Sequence, residues 1–149
     1  MILRRPVSMA LAALLASASG RPVGRGKQPA GAGQHYYLLY SLDTTLDGPP
    51  LADTNDDMSP VYQVTSVSGP DPSKPGTVGD PDQVEWMADK AREALLGRDP
   101  TTGLWLHPLV IPGVSVMGRA LDIEAGATSD PTDGIISYVQ RFRLDLTPA

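Results

Sequence analysis

The sequence predicts an α+β fold: a small, mostly antiparallel β-sheet with two α-helices packed on one face and long loops between the elements. Three stretches carry that prediction. Asp82–Leu96 has the spacing of an amphipathic helix, Ile135–Leu146 alternates as a half-buried strand, and Tyr36–Leu42 is apolar at nearly every position. The chain of 149 residues suffices for one domain with its own core, taken as residues 1–149: an N-terminal helix and basic arm over 1–34, then the sheet and second helix over 35–149. Its 15 Gly and 15 Pro are about a fifth of the chain, below the ~25–30% typical of low-complexity disorder.

The first predicted element is a helix over 7–19. Arg4-Arg5, the apolar run Val7–Ala16 and the small residues Ala16-Ser17-Ala18 imitate a secretory signal, even a twin-arginine one. The run is shorter than the ~20 residues needed to span a bilayer. Pro6 at the start, a stripe of Val7, Leu11, Leu14, Leu15 and Ala18, and Gly20 at the end also describe an ordinary docking helix, and this is the reading adopted.

Strands are expected over 36–42 and 60–67. The first is apolar on both sides, as in a strand covered on both faces, and Val61–Val67 is apolar in both directions as well. The second helix is expected over 81–96. Val84, Met87, Ala88, Ala91, Ala94 and Leu95 form one stripe, and Glu85, Asp89, Lys90, Arg92 and Glu93 face water. Asp80 can cap its first turn, Pro81 suits the first helical position, Gln83 would complete a capping box, and Gly97 would stop the helix in the left-handed conformation. Strands are expected within 104–123, with Leu104–Leu106 and Val114–Met117 forming a hairpin across Pro108–Gly113. In the last strand, 135–146, Ile136, Tyr138, Gln140, Phe142, Leu144 and Leu146 share one face.

Two short helices can cover only one face of such a sheet. The other apolar face of Tyr36–Leu42 and Val61–Val67 then needs a lid from loops or a neighbouring subunit, which predicts a homo-oligomer. Tyr36, Leu38 and Tyr40 are the candidate contact residues.

Charge is unevenly placed. Residues 1–34 carry Arg4, Arg5, Arg21, Arg25 and Lys27 without an acid, so with −5 overall the rest of the chain carries −10. Arg21, Arg25 and Lys27 are candidates for docking an acidic neighbour, and some of the excess acid is a candidate channel lining; both sets would equally serve solubility. With no cysteine there is no disulfide or thiol chemistry, and the lean is toward the cytosol.

Motifs with chemical content fail on inspection. Asp53-Thr54-Asn55-Asp56-Asp57 opens like a calcium loop, but Met58 stands where Gly is needed and Val64 where a bidentate Glu is needed. Gly24-Arg25-Gly26-Lys27 is out of register for a phosphate loop and Gln28 follows the lysine. Gly113-Val114-Ser115-Val116-Met117-Gly118 is one residue too long for a nucleophile elbow. His35 and His107 read as strand-end residues, and two histidines without cysteine make a nitrogen- or sulfur-rich metal site improbable. No catalytic, cofactor or metal site is expected. An enzyme ranks last.

A first helix ending at Gly-Arg-Pro-Val-Gly (20–24), the tyrosine-rich strand, Gly48-Pro49-Pro50-Leu51-Ala52-Asp53 and Val61–Val67 together resemble the tail terminator proteins of long-tailed bacteriophages, especially actinobacterial ones. Glu85–Leu96 and Gln140–Pro148 agree, so the resemblance spans most of the chain and lies in order and spacing. The Asp71–Asp80 loop is longer than the pattern suggests. The resemblance implies a cofactor-free structural virion protein. It would form a hexameric ring at the head-proximal end of the tail after assembly in the host cytoplasm. Its partners would be further copies of itself, the tail tube protein and the head-side connector or stopper; genomic DNA would pass through the lumen without sequence-specific binding, and no membrane would be involved. The rival readings are a neighbouring connector or tail-completion component, and a secreted small binding protein matured near Ser19.

Overall fold

A computed structural model describes residues 1–47 and 56–149. In chain order the elements are α1 (Arg4–Ser19), β1 (Val23–Arg25), β2 (His35–Asp47), β3 (Asp57–Ser68), α2 (Pro81–Leu96), β4 (Val114–Ser129) and β5 (Ile136–Pro148). The strands form one sheet in the order β1-β2-β3-β5-β4, with β1 parallel to β2 and every other pair antiparallel. The α+β class and the mostly antiparallel sheet are as the sequence predicts. Both helices lie on one face.

That face is the core. Val7, Leu11 and Leu15 of α1 and Met87, Ala91 and Leu95 of α2 meet Tyr37, Leu39, Tyr62, Val64, Phe142, Leu144 and Leu146 from the sheet, all of them buried. Burying one large aliphatic side chain in this way contributes about 1.5–3 kcal/mol. The N-terminal stripe is therefore structural material, and the docking-helix reading of this segment agrees with its packing. Several polar groups that enter the layer are paired there: the Tyr37 hydroxyl donates to the Met87 carbonyl at 2.6 Å, Ser8 and Tyr62 share a hydrogen bond of 2.7 Å, and Gln140 Nε2 donates to Ala88 O and Glu124 Oε1, whereas among the described residues Gln140 Oε1 and Ser66 Oγ are buried without a partner. The even-numbered residues of β5 face the helices, as their alternation requires.

Several local expectations are corrected. α1 begins at Arg4, ahead of Pro6, and Leu3 provides no side-chain cap. α2 spans the expected residues and Asp80 accepts from the Asp82 amide, but the capping box does not close, because the Asp80 amide donates to Ser68 Oγ instead of Gln83. Gly97 is extended (φ −60°, ψ 139°) and not left-handed. Glycine is needed there for space: a β-carbon would collide with the Glu93 carbonyl that accepts the Gly97 amide. Gly20, by contrast, ends α1 at φ 71°, where glycine is favoured.

The Leu104–Leu106 with Val114–Met117 hairpin does not form. β4 pairs with β5 along its whole length, and residues 98–112 make a loop closed by the isolated bridges Arg98↔Trp105 and Ile111↔Val114. β5 offers a longer alternating partner than three residues bounded by Gly and Pro can. β1 was not anticipated, being only three residues long. β2 and β3 run past the predicted ends, with a register shift between Ser41 and Thr44. Gly48–Asp53 and the first three residues of Asp53-Thr54-Asn55-Asp56-Asp57 lie outside the described residues. Among the described residues no helix is long and apolar enough to cross a membrane.

Candidate interaction surface

Among the described residues, the opposite face of the sheet carries no helix. Tyr36, Leu38, Tyr40 and Leu42 project from β2 on alternate residues, Gln63, Thr65 and Val67 from β3, and Ser137 and Val139 from β5; with Ile135 they line an open groove of about 520 Å³. Its far end is partly roofed, because Ala32 and Ile135 pack on Tyr36 and Val67. Towards Leu38, Tyr40 and Val139 the side chains are only half-buried. An apolar strip of this kind, rimmed by polar groups, is a recognised form of protein contact surface. Burial raises the Tyr36 hydroxyl above its ordinary pKa, with Tyr40 and Asp133 adding to the effect. Arg141, at the rim, donates from Nε to Gln63 Oε1.

The six candidate residues separate into two groups. Tyr36, Leu38 and Tyr40 stand together on the open face. Arg25 is paired with helix-facing Leu39 and lines a small pocket with Ser8 and Tyr62, so it belongs to the other side of the sheet. Arg21 follows α1 and its guanidinium lies 5.5 Å from the Trp86 ring centroid on α2, while Lys27 is exposed just beyond β1. The basic residues thus collect at the β1 edge and helix side. Arg4 joins them, donating to Ser41 Oγ and Leu42 O.

A feature the sequence reading missed is the 98–112 loop. Two guanidinium groups approach the Trp105 ring, Arg98 at 3.9 Å and Arg119 at 4.6 Å from its centroid. Arg119 is buried and donates to the Leu95 and His107 carbonyls, which fixes the loop to the end of α2; its own pKa is lowered by burial and then by Arg98. Leu104, Leu106 and Val110 are nonetheless exposed, at 68%, 43% and 79%. The legible signal was Leu104-Trp105-Leu106 itself, an apolar triplet in a stretch with no strand or helix period.

The discarded motifs sit in other surroundings. Gly24-Arg25-Gly26-Lys27 forms β1 and the turn after it, with no helix following to receive a phosphate. Ser115 is inside β4, opposite Thr147, and not at a strand-to-helix turn. His35 opens β2; burial and then Arg21 lower its pKa, against an opposing pull from Asp80. Among the described residues no group of three or more His, Asp or Glu side chains is placed to hold a metal ion.

No protein-family model and no curated protein matches the chain. Its fold does find counterparts among solved structures. One is a chain from the virion of a native gene transfer agent particle, which superposes with a TM-score of 0.57 at 18% sequence identity over 92% of this chain and 84% of that one. At that identity the likeness establishes a shared fold.

Proposed function

We propose that the protein is a structural component of a phage-type virion, not a catalyst, and that its copies close into a ring. The ring caps the tail tube and joins it to the head-side connector. The observation that carries this reading is the open sheet face, an apolar groove that the described residues leave uncovered. A closed ring gives every subunit a neighbour on each side, so such surfaces are covered without leaving a free end. The fold shared with a chain of a gene transfer agent virion supports the virion setting, and the order of motifs seen in tail terminators supports the hexamer and the position at the head-proximal end. The secreted alternative loses support from α1, whose removal near Ser19 would take Val7, Leu11 and Leu15 out of the core.

Genomic DNA passes through the lumen in this reading. Acidic walls would keep a duplex from adhering, whereas basic walls would grip its phosphates. Between Gln28 and Ser73 the chain has no lysine or arginine, and the outer end of the β2–β3 pair exposes Asp43, Asp47 and Asp57; these are the proposed lumen-facing acids. Arg21, Arg25 and Lys27 then dock the tube or an adjoining subunit. Electron microscopy of intact tails tests both points. A six-fold ring of this protein at the head-proximal end is expected, lost when the three basic residues are reversed to Glu. Its location elsewhere on the particle would overturn the terminator assignment in favour of a connector or tail-completion role.

A further inference from the structure

On the helix side of the sheet, β1, β2, β3 and the first turns of α1 converge on a pocket of about 210 Å³ whose walls include Ser8, Arg25, Gly26, Ser41 and Tyr62. The local chain explains its position. β1 runs parallel to β2 with Arg25 beside Leu39, and the Gly26 amide donates to the Leu39 carbonyl at 3.0 Å. The turn at Gly26, at φ 74°, is thereby pinned to β2, and exposed Arg25 stands at the mouth. Arg4, from the first turn of α1, reaches the rim and donates to Ser41 Oγ and Leu42 O.

We propose that this pocket is a carboxylate-binding site, and that it receives an Asp or Glu side chain of the protein against which the basic edge docks. This rests on the docking role given to Arg25 above and adds the group that is recognised. Hydrogen-bond donors are in surplus here. Ser8 and Tyr62 carry one hydroxyl hydrogen each and share one hydrogen bond, so one hydrogen is uncommitted among the described residues. Tyr62 is wholly buried and Ser8 is 4% exposed. A spare hydrogen on the enclosed phenol would go unpaired, so the arrangement of lower energy has Tyr62 donating and the Ser8 hydrogen turned into the pocket. Ser41 Oγ accepts from Arg4 and keeps its own hydrogen free at the rim. Arg25 has no carboxylate within ion-pair distance among the described residues, and no acid lines the pocket. α1 adds to the positive field, since it opens with two arginines and has neither an acid in its first turn nor a side-chain cap. A guanidinium and two hydroxyl hydrogens without an acidic wall select an anionic acceptor.

Size and shape select a carboxylate among anions. The volume is below the roughly 300–1,000 Å³ of cofactor and drug-sized sites, so a single side-chain group fits and a nucleotide does not. Phosphates of a duplex lie on the outside of a stiff rod and cannot follow into a recess walled by a helix and a strand turn. A carboxylate on a flexible stem can.

Titration of the isotopically labelled full-length protein with sodium acetate, sodium phosphate or sodium chloride at matched ionic strength tests the site, read from the Ser8, Gly26 and Ser41 amide resonances. Acetate is expected to shift them saturably, and chloride is not. Arg25→Gln should weaken acetate about tenfold or more, as loss of a charged hydrogen bond does, and Ser8→Ala should weaken it less. Arg5→Gln removes the same charge from an exposed position on α1 outside the pocket and should leave the curve unchanged. Absence of saturation by acetate overturns the site. Saturation by phosphate at lower concentration than acetate also overturns it, in favour of a phosphate site, and equal weakening by Arg5→Gln reduces it to general charge attraction. Tails assembled with Arg25→Gln test the source of the carboxylate, and fewer joined tails are expected. Normal tails from a variant that has lost acetate binding would overturn the docked side chain as occupant. Wild-type protein located elsewhere on the particle would overturn the terminator reading and leave the pocket standing.

Discussion

Tyr62 is closed over by α1, and its hydroxyl is hydrogen-bonded to the buried Ser8 hydroxyl at 2.7 Å. Replacing it by Phe removes that partner and strands the Ser8 hydroxyl in an apolar layer, which costs about 1–3 kcal/mol. Thermal or urea unfolding of Tyr62→Phe should show that loss with the same denaturant slope as wild type. His35 provides a second residue-level expectation. Its folded-state pKa lies below the ordinary 6.5, chiefly through burial, and Nδ1 is buried without a partner. As pH falls through about 6.5 the unfolded chain takes up the proton before the folded one does, so the stability held above that value is lost on acidification. His35→Gln should therefore flatten the decline in melting temperature between about pH 7 and pH 5. At this scale the sequence was readable where a side chain's task is repeated along an element and opaque where its partner is distant. Gln140 was placed correctly on the inner face of β5 by alternation alone, but nothing local discloses its bonds to Ala88 and Glu124, 52 and 16 residues away. Arg119 was invisible for the same reason, since its carbonyl partners are assembled only when the loop folds back.

Among the elements, α2 was legible to the residue because cap, first-turn proline and apolar period coincide in one short segment. β5 was nearly so. β1 was not, since three residues carry no period, and its place beside β2 depends on the Pro22 carbonyl meeting the Tyr37 amide across a loop. The α1 segment is the case where two readings shared one pattern: a leader and a core helix both need a short apolar run. Packing separates them. Leu11 is wholly buried against the sheet layer, and Leu11→Ala should cost about 2–5 kcal/mol by unfolding measurements. A segment merely carried along would leave stability unchanged. The 98–112 loop shows the opposite failure, where an expected hairpin lost to the longer β4–β5 ladder and left exposed leucines on a rigid support. Of the candidate surface, Tyr36, Leu38 and Tyr40 could be read from the doubled apolar pattern of β2. The apolar triplet Leu104-Trp105-Leu106 was visible in the sequence, but the exposure of Leu104 and Leu106 is a property of the folded chain.

At the level of the whole molecule, the sheet has one sheathed face and one bare one, and that asymmetry connects residue pattern to proposed role. An apolar strand readable as covered on both faces is covered on one side only by the described residues. The missing cover is assigned to neighbouring copies, which accounts for the groove. Light scattering of the purified wild-type protein at micromolar concentration tests this most directly: the account predicts a closed hexamer of the 15.8 kDa chain. A persistent monomer at that mass, with the Leu38 and Tyr40 face still bare, would contradict it.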